Sequence, residues 1–271
     1  MMNYQEIQPP DYLQDYVRYM WTLDNWGTNA VPTTLRPIVD GCPGLLFHQS
    51  EGGAFRQKDK ELPNLFLYGQ ATQCAELTSG GKFRAIGVVL YPDALTSLFG
   101  FDADSMTDSC ADLERVAQPP GLSLVERLVN TSAITAQTDV LASYLLSQIK
   151  RNQKEADRVT KYALSQIMAS NGNISLKKLQ EAVRLSERSL ERRFKQCVGI
   201  SPKLFARICR FQASLGQLRH NKYSKLSDIA FENDYADQSH FIRTFREFAG
   251  SSPYQFQKQS GNTAENFSLL T

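Results

Sequence analysis

An eleven-residue pattern occurs twice in the last third of this 271-residue chain, and it limits the possible folds more than any other feature. Arg, Phe, a basic residue, Gly, Ser and Pro stand at the same places in residues 192–202 and 243–253, at an offset of 51 residues. The pattern is typical of a helix that ends, turns and passes into a second helix. Gly supplies a left-handed cap, Ser an N-cap oxygen, and Pro a φ already set for the first helical residue. The repetition predicts a duplicated supersecondary unit.

In each copy, the residues that lead into the pattern and its first half predict an amphipathic helix. Ser186 and Asp237 are good N-caps, and apolar side chains follow at intervals of three and four residues. These are Leu190, Phe194 and Cys197 in the first helix, and Phe241, Phe245 and Phe248 in the second. Polar and charged side chains occupy the opposite face, so one face is expected to pack and the other to contact a partner. A single amphipathic helix, taken alone, would be interpreted as an ordinary surface helix whose polar face is solvated.

Each amphipathic helix follows a short helical segment and a tight turn. The segments are residues 176–182 and 226–232, so the sequence predicts two helix-turn-helix units. Here the offset falls from 51 to 50, so the second turn is expected to be one residue longer. Apolar spacing in residues 202–219 predicts a connecting helix of roughly 25 Å. The two amphipathic helices are called reading helices below, because in a helix-turn-helix unit the second helix contacts the bases. The connecting helix would hold the two reading helices near the one-turn spacing of B-DNA, about 34 Å.

Charge divides the chain in the same place. Residues 156–260 contain 18 Lys and Arg against 9 Asp and Glu, a net charge of +9, whereas residues 1–155 have a net charge of −6. A basic helix-turn-helix region implies contact with phosphates. The alternative is a non-enzymatic helical module that binds an acidic protein or RNA.

Residues 157–259 resemble the DNA-binding domain of the AraC/XylS transcriptional regulators. The resemblance is most specific in residues 228–253, which read Asp-Ile-Ala-x-Glu-x-Asp-Tyr-x-Asp-Gln-Ser-His-Phe-x-Arg-x-Phe-Arg and then Gly-x-Ser-Pro. It implies an all-α domain with two helix-turn-helix units joined by one long helix. Three residues depart from the family pattern: Asp234 and Arg184 stand where Gly is usual, and Gln180 stands where a small Ala packs.

Carried over by position, the resemblance implies two groups of DNA-contacting residues. The base-reading residues are Arg188, Glu191 and Arg192 in the first unit, and Gln238, Ser239 and Arg243 in the second. The residues suited to phosphates are Lys195, Arg246, Ser189 and His240. Arg can bind guanine, Gln can bind adenine, and Glu can accept from cytosine. Glu191 or Arg192 could instead pair with a neighbour and touch no base. Because the outward residues differ between the units, we expect a nonpalindromic target for each protomer.

The first half contains short apolar runs between Gly and Pro residues. The runs at 44–48, 65–69 and 85–92 predict strands of a sheet or small barrel. Residues 39–42 and 87–95 resemble an uncharacterised N-terminal domain found ahead of AraC-type domains. In such regulators this domain commonly senses a small molecule and often dimerises. Four aromatic residues could line an effector pocket, although aromatics are more often core. They are Trp21, Trp26, Phe47 and Tyr68.

The sequence therefore predicts an α+β protein of two domains. Residues 1–120 are expected to form a β-rich sensor or dimerisation domain with flanking helices, and residues 156–260 the all-α DNA-binding domain. Residues 121–155 are expected to form a helical linker, and residues 261–271 a flexible tail. The linker helices could dimerise or pack on their own sensor domain.

Residues with catalytic chemistry are sparse, so we expect no enzyme, no cofactor and no metal. His48 is the only histidine before residue 220, which excludes a multi-histidine metal site there and disfavours a Ser-His-Asp relay. The sequence has no Gly-rich phosphate loop and no GxSxG elbow. Five cysteines without CxxC spacing, signal peptide or transmembrane run predict a reduced, cytoplasmic protein.

These features predict a regulator that binds a double-stranded DNA operator at a specific sequence. A small-molecule effector at the N-terminal domain, a homodimer and contact with RNA polymerase are further possibilities. No contact with a membrane is expected.

Overall fold

The computed structural model has a β-rich N-terminal region and an all-helical C-terminal region, as the sequence predicts. It describes residues 2–26, 32–116, 123–152, 157–221 and 223–259. The predicted tail, residues 261–271, lies outside the described residues. Within those that are described, no helix is long and apolar enough to cross a membrane.

The described strands of the N-terminal region form two open antiparallel sheets. They are β1 (Asn3–Ile7), β2 (Val17–Asn25), β3 (Thr33–Leu35), β4 (Gly44–Ser50), β5 (Arg56–Gln57), β6 (Lys60–Glu61), β7 (Leu65–Tyr68), β8 (Leu77–Ser79), β9 (Phe83–Leu90) and β10 (Cys110–Asp112). The larger sheet has the order β1-β2-β9-β4-β7-β10, and the smaller sheet β3-β8-β5-β6. The three apolar runs of the sequence are β4, β7 and β9, which are neighbours within the larger sheet.

The described helices follow in chain order, together with short 3-10 helices at Asp11–Leu13 and Ala103–Met106. They are α1 (Ala94–Phe99), α2 (Leu113–Val116), α3 (Leu124–Val129), α4 (Ile134–Asn152), α5 (Arg158–Ala169), α6 (Leu176–Val183), α7 (Glu187–Val198), α8 (Pro202–Arg219), α9 (Leu226–Glu232), α10 (Gln238–Ala249) and α11 (Pro253–Gln259).

Side chains of the larger sheet point alternately to its two faces, and each face has its own core. Phe47, Ile86 and Val88 lie on the face covered by α1, α3 and α4. Leu46 and Ala85 lie on the opposite face, against residues of the smaller sheet. The N-terminal region is therefore a large sheet between a helical layer and a smaller sheet.

Helix α4 buries its apolar side chains within the chain itself. Leu141, Tyr144 and Leu145 belong to the same core as Leu95 of α1 and Leu90 of β9. These residues therefore pack on the N-terminal region of the same chain, and dimerisation through this helix stays a prediction.

His48 is a buried histidine on the smaller-sheet side of β4. Its ring stacks on Phe55 with 4.3 Å between ring centroids, and Nε2 donates to the carbonyl oxygen of Pro63 at 3.0 Å. Nδ1 is buried without a hydrogen-bond partner among the described residues. Burial lowers the pKa of His48 to about 4, so the ring is neutral in the folded protein at neutral pH.

We expect the stability of the fold to decrease as the pH falls from about 7 to about 4, because the unfolded chain binds a proton at His48 that the folded chain rejects. One such group contributes at most about 1.4 kcal/mol per pH unit to the free energy of unfolding. Urea unfolding of the wild type and of His48→Gln across this range isolates the effect, because carboxylate titrations are shared by both proteins. Parallel pH profiles would contradict this expectation.

One core unites the helices of the C-terminal region, and α8 runs through it. Phe205, Ile208, Phe211 and Leu215 of α8 are fully buried. The bounds of α8, Pro202–Arg219, are those that the apolar spacing predicts. The core also includes Ile38 and Val39 of the N-terminal region, so the two regions pack directly against each other.

Candidate nucleic-acid interface

The repeated pattern forms the caps that the sequence predicts. Helix α7 ends at Gly199 with φ of +96°, and α10 ends at Gly250 with φ of +73°. In the first copy, Ser201 Oγ accepts from the Leu204 amide at 3.2 Å and caps α8, which begins at Pro202. In the second copy, Ser252 Oγ accepts from the Gln255 amide at 3.3 Å ahead of α11.

Both reading helices also begin as predicted. Ser186 Oγ accepts from the Ser189 amide at 3.3 Å, and Asp237 Oδ1 accepts from the His240 amide at 2.7 Å. In both cases a side-chain oxygen accepts a hydrogen bond from a backbone amide that has no partner within the helix. Two of the four predicted phosphate residues, Ser189 and His240, therefore lie in the first turns of the reading helices.

The duplication extends upstream through both turns at an offset of 50. Asn171 and Asn221 both have φ of +51°, and Arg184 and Asp234 have φ of +54° and +56°. Equivalent turn bonds join the Leu185 amide to Gln180 O at 3.2 Å and the Tyr235 amide to Ala230 O at 2.9 Å. The extra residue of the second turn lies after Tyr235, which confirms the longer turn expected from the change of offset.

Both residues that replace the usual glycine have the left-handed conformation that glycine favours. We expect Arg184→Gly to raise the free energy of unfolding by about 0.5 to 1 kcal/mol, because it removes Cβ strain of roughly 1 to 2 kcal/mol and adds chain entropy to the unfolded state. Arg192→Gly is the matched control, since this residue lies inside α7 and its replacement should lower stability by about 1 kcal/mol. Chemical denaturation measures both. Destabilisation by Arg184→Gly would show that the turn does not store this strain.

The inward faces of the two reading helices are buried. In α7 the fully buried residues are Leu190, Phe194 and Val198, whereas the predicted Cys197 is only partly buried. Cys197 packs against the same core as predicted, and its neighbour Val198 is more deeply buried in it. In α10, Phe241, Phe245 and Phe248 are buried as predicted.

The predicted base-reading residues lie on the outward faces. Five of them are exposed and Glu191 is half-buried. The exposed ones are Arg188, Arg192, Gln238, Ser239 and Arg243. Lys195 and Arg246, the predicted phosphate residues at the far ends of these faces, are also exposed. The structure thus places both sets of side chains where a partner could reach them.

Some charged residues of α7 form ion pairs within the protein, and others do not. Glu191 Oε1 lies 2.9 Å from Lys195 Nζ one turn away, so the surface pairing that the sequence left open is observed for Glu191. Arg193 Nη1 lies 3.5 Å from Asp157 Oδ1 at the start of α5. Among the described residues, Arg192 has no carboxylate partner within 4.0 Å.

Arg210 of α8 links the two units, although no sequence pattern marks its role. Its guanidinium donates to the carbonyl oxygen of Asp234 in the second turn at 3.2 Å, and to that of Gly172 ahead of α6 at 3.3 Å. Gly172 has φ of +78°, and a Cβ there would lie 2.0 Å from the carbonyl oxygen of Ala206. The residue before the first unit therefore packs directly on the connecting helix.

The four aromatic residues proposed for an effector pocket do not converge. Trp21 lies on the smaller-sheet side of the larger sheet, with Tyr68 packed against the same core. Phe47 lies on the opposite face, because the register that pairs Phe47 with Ile86 also pairs Trp21 with Gly87. Trp26 follows the end of β2 and is 41% exposed. The alternation of strand side chains therefore separates Trp21 from Phe47.

All five cysteines are free thiols with raised pKa values. Burial raises the pKa to about 11 for Cys74 and Cys110 and to about 12 for Cys209, and it also raises the pKa of Cys42 and Cys197. Since the thiolate is the reactive form, these thiols have the character of packing residues. Within the described ranges, no three His, Cys, Asp or Glu side chains are grouped so that they could hold a metal ion.

Two reading helices of the same design, joined by one connecting helix, define a double helix-turn-helix domain. Residues 179–259 match a family model described as a helix-turn-helix domain, and residues 5–112 match a domain of unknown function, DUF6597. The chain thus combines a DUF6597 domain with a helix-turn-helix domain of the AraC type.

Individual proteins show the same likeness. The HTH-type transcriptional activator RhaS of Escherichia fergusonii is 29% identical over 146 residues, which cover 50% of this chain and 52% of RhaS. An uncharacterised HTH-type transcriptional regulator of Haemophilus influenzae is 26% identical over 150 residues, which cover 51% and 50%. The chain spans about half the length of the curated relatives it matches. The solved structure of ToxT from Vibrio cholerae aligns over 94% of this chain and 97% of its own, with a TM-score of 0.44 and 12% identity.

Proposed function

We propose that this protein is a transcription regulator that binds double-stranded DNA at a specific sequence. The observation that carries the proposal is the duplicated unit: each reading helix is capped at both ends, buries one apolar face and exposes a polar one. The net charge of +9 in residues 156–260 favours phosphate contact. Named relatives that match half of the chain, including the activator RhaS, support the same function.

In this proposal the exposed side chains of α7 and α10 read bases in adjacent stretches of the major groove. Arg188, Arg192 and Arg243 have the donors that guanine O6 and N7 accept, and Gln238 has the donor and acceptor that adenine requires. Lys195 and Arg246 contact phosphates. Glu191 pairs with Lys195 in the free protein, and the Lys195 ammonium has further donors for a phosphate.

The wider arrangement is part of the same proposal. Residues 1–120 carry a signal, for which a small molecule is one source, and residues 156–260 bind DNA in the cytoplasm without enzymatic activity. Because the four aromatic residues do not form one pocket, we assign no chemistry to an effector. A ligand would act by binding one arrangement of the two regions better than another.

Competition binding tests the proposal. The protein should retain one duplex sequence in the presence of excess nonspecific duplex DNA and of single-stranded or structured RNA at physiological salt. It should protect roughly 17 to 20 base pairs, as two helices one turn apart require. Equal affinity for all duplexes, or a preference for RNA or an acidic protein, would contradict the proposal and favour the helical-module alternative.

Lys195→Ala should weaken binding to every duplex by a similar factor and reduce the slope of log affinity against log salt by about 1, because one phosphate contact is lost. Lys58→Ala is the matched control, since it removes the same charge from the turn between β5 and β6 of the smaller sheet. Binding isotherms at several salt concentrations measure the slope. A loss confined to one duplex sequence would show that Lys195 reads a base.

A further inference from the structure

The C-terminal end of α10 receives backbone hydrogen bonds from the N-terminal region. The last carbonyl groups of a helix have no partner within the helix. In α10, Glu247 O accepts from the Cys74 amide at 3.2 Å, and Phe248 O accepts from the Val39 amide at 3.1 Å. Two separate N-terminal segments therefore hold the end of the second reading helix.

The C-terminal end of α7 is held by the same region through threonine side chains. Thr107 Oγ1 donates to Gly199 O at 2.6 Å, and Thr96 Oγ1 donates to Gln196 O at 3.3 Å. Thr96 belongs to α1, and Thr107 directly follows the 3-10 helix Ala103–Met106. Both reading helices thus end on donors that the N-terminal region supplies.

The capping glycines of the repeated pattern lie at this interface. A Cβ on Gly199 would lie 3.0 Å from Thr107 Oγ1, and a Cβ on Gly250 would lie 3.0 Å from Cys74 Sγ. Because glycine has no Cβ, the caps of both helices can lie directly against the N-terminal region. The glycines of the pattern therefore end the helices and also allow this contact.

The connecting helix is held between these two contacts. The Gln212 side chain, which is 1% exposed, donates from Nε2 to Val39 O at 2.6 Å. Gly41 has φ of +74°, and a Cβ there would lie 2.9 Å from Phe205 Cε2. Residues 39–42, which resemble part of an uncharacterised N-terminal domain, therefore contact both α8 and α10.

We propose that the N-terminal region positions the two reading helices relative to each other and so sets the half-site spacing that the protein accepts. The contacts on α7, α8 and α10 come from separate segments of one packed region, so a shift of one reading helix alone would break hydrogen bonds to that region. Gly41, Thr107 and Gln212 are positioning residues in this account, because they lie on the interface with the N-terminal region and not on the outward faces. The inference rests on the proposed DNA-binding function.

The experiment uses the full chain and duplexes in which the two selected half-sites are moved apart one base pair at a time. The wild type should bind one spacing best and its neighbours at least about tenfold more weakly, because each added base pair rotates the second half-site about the DNA axis. Gly41→Ala should reduce this ratio to about threefold or less, while base preference within each half-site stays unchanged. Thr107→Val should act in the same direction, and Thr107→Ser should restore the wild-type profile.

Gly53→Ala is the matched control for Gly41→Ala. Gly53 also has positive φ, at +102°, but a Cβ there meets no atom within 4 Å, so this variant should keep the wild-type spacing profile. Circular dichroism and thermal unfolding confirm that each variant is folded, and Thr107→Val serves if Gly41→Ala is not.

Four results are distinguishable. A wild type without any duplex preference contradicts the proposed function itself. A sharp wild-type spacing profile that Gly41→Ala and Thr107→Val both retain overturns the positioning role and leaves the function intact. Loss of base preference within the half-sites also overturns it, because the reading helices themselves would then be disturbed. A flattened spacing profile with intact base preference supports the inference.

Discussion

Replacing Phe245 with alanine is expected to lower the free energy of unfolding of the helix-turn-helix domain by about 3 to 5 kcal/mol. Phe245 is fully buried and lies between three aromatic rings. Its ring centroid is 5.4 Å from that of Phe211 on α8, 5.7 Å from that of Phe241 and 5.6 Å from that of Phe256 on α11. The alanine variant leaves a cavity lined by α8, α11 and the preceding turn of α10. These packed elements relax only partly, so most of the lost contacts are not recovered.

Phe231→Ala is the control for this change, because Phe231 belongs to the same domain and is 87% exposed. Its replacement should alter the free energy of unfolding by no more than about 0.5 kcal/mol. Urea denaturation followed by circular dichroism measures both variants. A cost below about 1 kcal/mol for Phe245→Ala would contradict the packing of α10 on α8.

Replacing Arg243 with alanine is expected to relax base preference at one position of the target by about 1 to 3 kcal/mol, the value of one bidentate contact to guanine. Arg243 is exposed on α10, and its neighbours Thr244 and Phe245 are buried, so its side chain faces away from the core. The variant should keep its preference at all other positions, because the other reading side chains are untouched.

Arg193→Ala is the matched control, since its guanidinium pairs with Asp157 of the domain itself. Affinities for a panel of duplexes, each with one base pair changed, separate the two variants. Base preference that is unchanged in Arg243→Ala, or relaxed equally in Arg193→Ala, would show that Arg243 does not read a base.

The helical region could be predicted closely because its signals are local. Caps such as Ser186 and Gly199 are separated by little more than one helix, and the apolar spacing of α8 defined both of its ends. Cys197 also contacts the core as its spacing predicts, although it is only partly buried. The Glu191–Lys195 pair follows from the spacing of four residues, which places both side chains on one face of α7.

The arrangement of the N-terminal region depends on long-range pairing that the sequence does not display. Trp21 and Phe47 look alike as aromatic strand residues, and only the register with β9 places them on opposite faces. Contacts such as the one between Val39 and Phe248 use backbone atoms about two hundred residues apart, and backbone atoms carry no sequence pattern. The interface between the two regions was therefore outside the reach of motif analysis.

The most direct test of the account is selection of bound sites from random duplex DNA, with the wild type and with each reading helix altered in turn. The wild type should select two different motifs about one helical turn apart. Arg188→Ala or Arg192→Ala in α7 should erase information from one motif only, and Gln238→Ala or Arg243→Ala in α10 from the other only. Absence of any enriched sequence, or loss of both motifs in variants of either helix, would contradict the account.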